Sequence, residues 1–282
     1  MRSILSVLFF TLMMGTIPAL ALAQTEAQSE SAPEARTTIN AKQIQRIHKK
    51  ANDGDAKEQI SLGVMYFYGT SVRKDYELAY KWIQKAAEQD EPYAQVFLGA
   101  MYAAGLGVTQ DDELAKEWYE KAALQGYAEA ELRLGVLYYT GKGVAQDYTK
   151  AREWYEKAAA QGNADAQFNL GVLYYEGQGV AQDYTKAKEW YEKAAKENNA
   201  YAHFNLGMLY YKGQGVRQNY TTARGWLEKA AAQNNAMAPL YLGLIYSNGY
   251  AVTADRLKAK SWFGIACDNG IQAGCDYFRM LN

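Results

Sequence analysis

Two histidines, two cysteines and one Ser-x-x-Lys are the groups in this 282-residue chain whose types could do chemistry, and their spacing argues against most of it. His48 and His203 lie far apart in sequence, so neither a two-histidine metal site nor a repeated general base is suggested. Ser71-Val72-Arg73-Lys74 has the spacing of a serine acyl-transfer motif, but that motif works with S-D-N and K-T-G elements that the sequence lacks. Runs such as Gly177-Gln178-Gly179-Val180 look like phosphate cradles only superficially, because no strand precedes them and they recur as turns. No catalytic residue, metal site or cofactor is expected. Cys267 and Cys275 stand close together in ACDNGIQAGC near the C-terminus.

The elements that would position these groups are written in the tryptophans. Trp82, Trp118, Trp154, Trp190, Trp226 and Trp262 fall at intervals of 36 residues (82 to 118, 118 to 154, and so on), so one structural unit is repeated six times. A fixed period in this range marks a solenoid, in which each unit buries its apolar face only against its neighbours. Six units are expected over 54–269, at 54–89, 90–125, 126–161, 162–197, 198–233 and 234–269. Only four prolines among 282 residues suit a nearly all-helical chain. The net charge of −1 supplies no basic stripe, so no nucleic-acid partner is expected.

The N-terminus reads as a targeting segment. Arg2, the apolar run from Ile4 to Met14 and Ala21-Leu22-Ala23 form a signal peptide over 1–23 with a cut before Gln24. The run is too short to span a membrane comfortably and no second one follows, so no stable membrane insertion is expected after cleavage. No cysteine lies near the cut, so the chain is not expected to be a lipoprotein. Losing Arg2 and no acid takes the net charge from −1 to −2. A periplasmic or secreted address follows. Residues 24–38 hold almost nothing to bury and are expected to be a disordered leader. Residues 39–53, with Ile44, Ile47 and Ala51 at helical spacing, form an N-terminal capping helix, and 270–282 a C-terminal one.

The fourth unit shows the pattern most cleanly. In its first helix Ala166, Leu170, Leu173 and Tyr174 make one apolar stripe. Gly171, repeated as Gly63, Gly99, Gly135, Gly207 and Gly243, sits mid-helix, where glycine costs about 1 kcal/mol relative to alanine. A cost recurring six times implies close approach of a neighbouring backbone or of the tryptophan. The glycines at 177 and 179 end the helix. Asp183, like Asp147 and Asp75, is placed to cap the second helix. There Ala187, Trp190, Tyr191 and Ala194 face inward, with each tryptophan packed on its own unit's first helix as stacking core. Glu153 to Lys157 and Glu189 to Lys193 are expected to pair on the solvated side, for about 0.2 to 0.5 kcal/mol each.

This pattern, A-x-A-x-x-x-LG-x-x-Y, then GxGV, then DY-x-KA-x-x-W-x-x-KAA, resembles the SEL-1-like repeat (SLR) family, a relative of tetratricopeptide repeats. The likeness covers 54 to 282. It departs at Ser71 and Ala251, which replace the second loop glycine, and the last unit lacks KAA. The resemblance implies an all-α, right-handed alpha-alpha superhelical solenoid of antiparallel helix pairs with a concave inner surface. It also implies an adaptor role, binding a protein or peptide partner in the bacterial envelope or at the host interface. A cysteine-rich bacterial subgroup carries a disulfide at the Cys267 to Cys275 spacing in every repeat. Here that implies a structural bridge worth about 2 to 3 kcal/mol, with paired free thiols or redox chemistry as the other readings. Members of that subgroup have also been labelled penicillin-binding or β-lactam-hydrolysing, which makes a cell-wall-active enzyme the alternative function.

By analogy with tetratricopeptide repeats, the first helix of each pair would line the concave face. That singles out Tyr139, Tyr175 and Tyr211 with their neighbours Thr140, Glu176 and Lys212, and, earlier on the same helices, Arg133, Asn169 and Asn205. Tyrosine with asparagine suits a peptide groove, because the ring offers area and the amide can pair with an extended backbone. The same tyrosines, locked to the period, could equally pack between units.

Overall fold

The computed structural model describes residues 40–281. The expected signal segment 1–23 and leader 24–38 lie outside the described residues. Fourteen α-helices and no strand occur among the described residues. The described residues divide into two compact units, the first ending at Gln146 and the second beginning at Asp147. The first contains α1 (Ala41–Asn52), α2 (Ala56–Tyr68), α3 (Tyr76–Ala87), α4 (Pro92–Ala104), α5 (Asp112–Leu124) and α6 (Ala128–Thr140). The second contains α7 (Tyr148–Ala160), α8 (Ala164–Glu176), α9 (Tyr184–Lys196), α10 (Ala200–Lys212), α11 (Tyr220–Ala232), α12 (Ala238–Asn248), α13 (Arg256–Asp268) and α14 (Gln272–Met280). Within each unit every helix packs on the next in sequence, the local packing of an all-α solenoid.

Punctuation by side chain and glycine makes these helices short and regular. Each even-numbered helix from α2 to α12 ends on a glycine in the left-handed region, as at Gly177 with φ 73°. Asp75, Asp147 and Asp183 accept from the free amides of the next helix, at 2.9 Å from Leu78 N and 3.0 Å from Lys150 N and Lys186 N. A bond not expected from the sequence closes the same loop: Gln146, Gln182 and Gln218 donate through Nε2 to the carbonyls of Tyr139, Tyr175 and Tyr211 at 2.8 to 2.9 Å. The second loop glycine has a packing role. A Cβ on Gly179 would stand 2.6 Å from the Tyr148 carbonyl carbon, and one on Gly215 2.7 Å from that of Tyr184.

The neighbouring backbone does come close to the mid-helix glycine, with the Ala115 carbonyl oxygen 3.0 Å from a Cβ on Gly99, but the side chain there is not the tryptophan. The group that crowds it is the residue after the tryptophan. A Cβ on Gly63 would lie 2.5 Å from Ile83, on Gly99 2.7 Å from Tyr119, on Gly207 2.8 Å from Leu227 and on Gly243 2.5 Å from Phe263, and Gly171 is likewise closed by Tyr191. These residues, with Tyr155, are buried, whereas all six tryptophans are half-buried. The tryptophan therefore covers the core, and the next residue fills it. Trp226 does lie on its own unit's first helix, with ring centroids 5.6 Å from His203.

A second correction concerns charge. Lys157 and Lys193 do not reach back to Glu153 and Glu189. Their ammonium groups lie 3.8 and 3.7 Å from the ring centroids of Trp154 and Trp190, as those of Lys85, Lys121 and Lys229 do over Trp82, Trp118 and Trp226. A cation over an indole face is worth about 0.5 to 1 kcal/mol at an exposed site, more than an exposed helical ion pair, so the ring wins. The ion pairs form one position earlier, at Arg152–Glu156 (3.5 Å) and Lys188–Glu192 (2.9 Å).

Candidate functional site

The candidate surface residues sit on α6, α8 and α10. On α6, Arg133 is half-buried and pairs with Glu129 one turn back, and Tyr139 and Thr140 end the helix, with the Thr140 hydroxyl donating to the Val136 carbonyl at 2.8 Å. On α8, Asn169 is only 7% exposed, which leaves little of it for a ligand, while Tyr175 and Glu176 are half-buried. The Tyr175 hydroxyl donates to Gln214 Oε1 at 3.0 Å, in the loop of the following repeat, and its ring meets Tyr184 edge-on at 5.1 Å. Burial raises the Tyr175 pKa, and the bond to Gln214 partly opposes that. On α10, Asn205 is half-buried and Lys212 exposed.

Tyr211 is the centre of a group that the sequence reading missed. Its ring lies 5.2 Å from Tyr220, 5.6 Å from Tyr241 and 6.3 Å from Tyr250, and Tyr220 and Tyr250 stack at 4.4 Å. Burial first, then Tyr250, Tyr220 and Tyr241, push the Tyr211 phenol up to about 12. The signal was present in the sequence. Tyr241 and Tyr250 occupy positions where the preceding repeat has Asn205 and Gln214.

A second missed feature is a line of buried polar residues, one per repeat, at Gln59, Gln95, Glu131, Gln167 and His203, all 8% exposed or less. Gln59, Gln95 and Gln167 donate to the carbonyls of Ala51, Ala87 and Ala159 at the end of the preceding helix, at 3.0 to 3.5 Å. Gln89 and Gln125 donate in turn to the Gln59 and Gln95 amide oxygens, at 2.7 and 3.0 Å. His203 takes the same place, with Gln233 Nε2 3.0 Å from its Nδ1 and a bond to the Ala195 backbone. With Gln233 Nε2 donating, Nδ1 is the acceptor, an arrangement open only to the neutral ring that carries its proton on Nε2. Burial first, then Lys229, hold the His203 pKa below its ordinary value, against the Ala195 bond. These amides close helix ends that would otherwise be buried unpaired, which is a structural task.

The remaining chemical candidates are kept apart by the fold. Ser71 is exposed at φ 64° and does not hydrogen-bond Lys74, whose ammonium lies 4.8 Å from the Tyr76 ring centroid. His48 stands 3.5 Å from the Tyr66 hydroxyl and edge-on to Trp82. Cys267 and Cys275 are bridged, with Cα atoms 4.5 Å apart, tying α13 to α14. Among the described residues no cluster of His, Cys, Asp and Glu could hold a metal, and no helix is long and apolar enough to cross a membrane.

Known proteins agree with this architecture. The Sel1 repeat family matches residues 59–91, 92–127, 128–163, 164–199, 200–235 and 236–271. A Sel1 repeat protein of Oxalobacter formigenes is 32% identical, over 81% of this chain and 99% of that one, at a TM-score of 0.73. A protective antigen of uropathogenic Escherichia coli with an SLR fold is 34% identical over 84% of this chain, at a TM-score of 0.62, and this chain spans 59% of its length. Helicobacter pylori cysteine rich protein B is 27% identical over 48% of this chain and 96% of that one, at a TM-score of 0.37 that carries no structural weight. No curated protein matches.

Proposed function

The chain belongs to the Sel1 repeat family, and on that premise we propose that it is an exported, non-enzymatic scaffold that holds a protein or peptide partner in the bacterial envelope or at the host interface. Proteins of this family are repeat scaffolds that generally mediate protein–protein contact. One observation carries the reading for this chain. Stacking residues keep their apolar character from unit to unit, whereas the position at the end of the first helices varies in charge, as Thr140, Glu176 and Lys212. Half-buried and exposed positions whose charge changes from unit to unit are what a surface fitted to one partner requires. Export is supported by the signal-like segment before Gln24. That the similar E. coli protein is a protective antigen supports it further, since host immunity reaches such an antigen.

The test places a photo-crosslinking residue at Glu176 or Thr140 in cells, with Leu124, 88% exposed at the end of α5, as control. One discrete adduct at the first two sites and none at the third is expected. The same smear of abundant envelope proteins from all three would sink the scaffold reading. Osmotic-shock fractionation with N-terminal sequencing should find mature protein beginning at Gln24, and full-length chain confined to the cytoplasm would refute export. Saturable turnover of a chromogenic β-lactam would instead establish the wall-enzyme alternative.

A further inference from the structure

The repeat is broken most sharply between α10 and the loop after α12. At the preceding junction the corresponding positions hold Tyr175, Tyr184, Asn205 and Gln214, and the Tyr175 hydroxyl is used internally, on Gln214. Here all four are tyrosines: Tyr211, Tyr220, Asn205 replaced by Tyr241, and Gln214 replaced by Tyr250. Tyr220 accepts from Gln218 Nε2 at 2.9 Å. The hydroxyls of Tyr211, Tyr241 and Tyr250 have no hydrogen-bond partner among the described residues and are not sealed from solvent. The rings are half-buried against one another, which leaves a carbon ledge fringed by three free donors.

The loop that joins Tyr211 to Tyr220 carries Lys212 and Arg217, both exposed and neither in an ion pair. No other loop of this kind has a cation at both positions. The pairs elsewhere are Tyr68 and Arg73, Ala104 and Thr109, Thr140 and Ala145, Glu176 and Ala181, and Asn248 and Thr253. Aromatic ring edges and surplus hydroxyl donors thus meet where the stretch of chain from Tyr211 to Tyr220 also carries unpaired positive charge.

We propose that Tyr211, Tyr220, Tyr241 and Tyr250, with Lys212 and Arg217, form a docking surface for an acidic, proline-rich segment of a partner protein. A polyproline II strand presents carbonyl acceptors with no proline N–H left unpaired, and its rings pack against aromatic side chains. That is the complement of a ledge rich in donors, and glutamates flanking the prolines are the complement of the two cations. A glycan fits less well, because it needs an open aromatic face and Tyr220 and Tyr250 consume theirs on each other at 4.4 Å.

Fluorescence anisotropy of the full mature chain with a labelled synthetic peptide of repeated Glu-Pro-Pro tests this. The triple change Tyr211→Phe, Tyr241→Phe, Tyr250→Phe keeps the rings and the fold, and should weaken binding about tenfold or more. Lys212→Ala with Arg217→Ala should weaken it about fivefold at low salt, with the difference shrinking as salt rises. A Lys-Pro-Pro repeat should not bind. Equal affinity of the triple variant, preference for a chitin oligosaccharide, or no saturable binding by folded protein would each overturn the proposal. It rests on the scaffold reading, but the two fail separately. Protein that captures its partner in cells yet ignores the peptide overturns this docking surface alone. Protein that binds the peptide yet gives no cellular adduct at Thr140 or Glu176 overturns the reading of those two positions.

Discussion

Gln167 is the weak place in the line of buried polar residues. Its amide donates to the Ala159 carbonyl at 3.5 Å, but its own oxygen is buried without a partner. The reason is the residue that follows α9. Where other repeats have Gln89, Gln125 or Gln233 to reach this position, the fourth has Glu197, a carboxylate with no proton to donate. Glu197→Gln should therefore stabilise the protein by about 1 kcal/mol, read as a higher urea midpoint at unchanged slope. An unchanged midpoint would mean that water already serves the Gln167 oxygen. His203 gives the line its pH dependence. Its folded pKa lies below the unfolded value of 6.5, so the unfolded chain binds the proton first. The stability it contributes is intact above that value and is lost as pH falls through it toward the folded value. His203→Gln, which restores the residue of three other repeats, should flatten the fall in thermal midpoint between about pH 7.5 and 5.5. Parallel curves for parent and variant would refute this. That His203 stands 36 residues after Gln167 is plain in the sequence. Their burial is not, because a glutamine on a helix gives no sign of which carbonyl lies opposite it.

Helices were the most legible elements, since glycine stops and aspartate caps act locally. The departures Ser71 and Ala251 show how strongly the loop is held. Both adopt left-handed φ, 64° and 54°, at the positions of the missing glycines, so the loop keeps its shape at the expense of strain in an L-residue. At the C-terminal end α14 crosses α13 so closely that a Cβ on Gly274 would stand 2.6 Å from that of Ala266. α14 packs on α13, and the Cys267–Cys275 bridge ties the two covalently. Replacing both cysteines by serine should cost about 2 to 3 kcal/mol by loop entropy. The loss should appear as faster amide exchange in α14 than in α8 to α11. Uniform acceleration along the second unit would show instead that the bridge supports the array as a whole.

At the scale of the whole molecule, a repeat array is close to a sum of units and nearest-neighbour interfaces. Deleting residues 164–199, the fourth matched repeat, joins Asn163 to Ala200. Asn163 caps α8 as Asn199 caps α10, so the junction would recreate the cap it removes. The shortened protein should keep its helicity per residue by circular dichroism and melt cooperatively at a lower midpoint. Loss of helical signal would show that the units are more interdependent than nearest-neighbour stacking allows.

The sequence by itself determined the helices, the period, the six repeats and the family, because spacing, caps and stops are properties of short stretches of chain. It also placed Cys267 and Cys275 on adjoining helices. Only the tertiary structure decided which member of each Trp-x pair fills the core, because neighbouring positions on a helix differ by about 100° of rotation and hydrophobicity alone does not rank them. It alone decided that Lys157 and Lys193 prefer indole rings to carboxylates. It alone brought Tyr211, Tyr220, Tyr241 and Tyr250 together from two helices, a helix start and a loop. A cluster assembled across repeats is invisible to a reading that compares each repeat with the next, since its members meet only when the units stack.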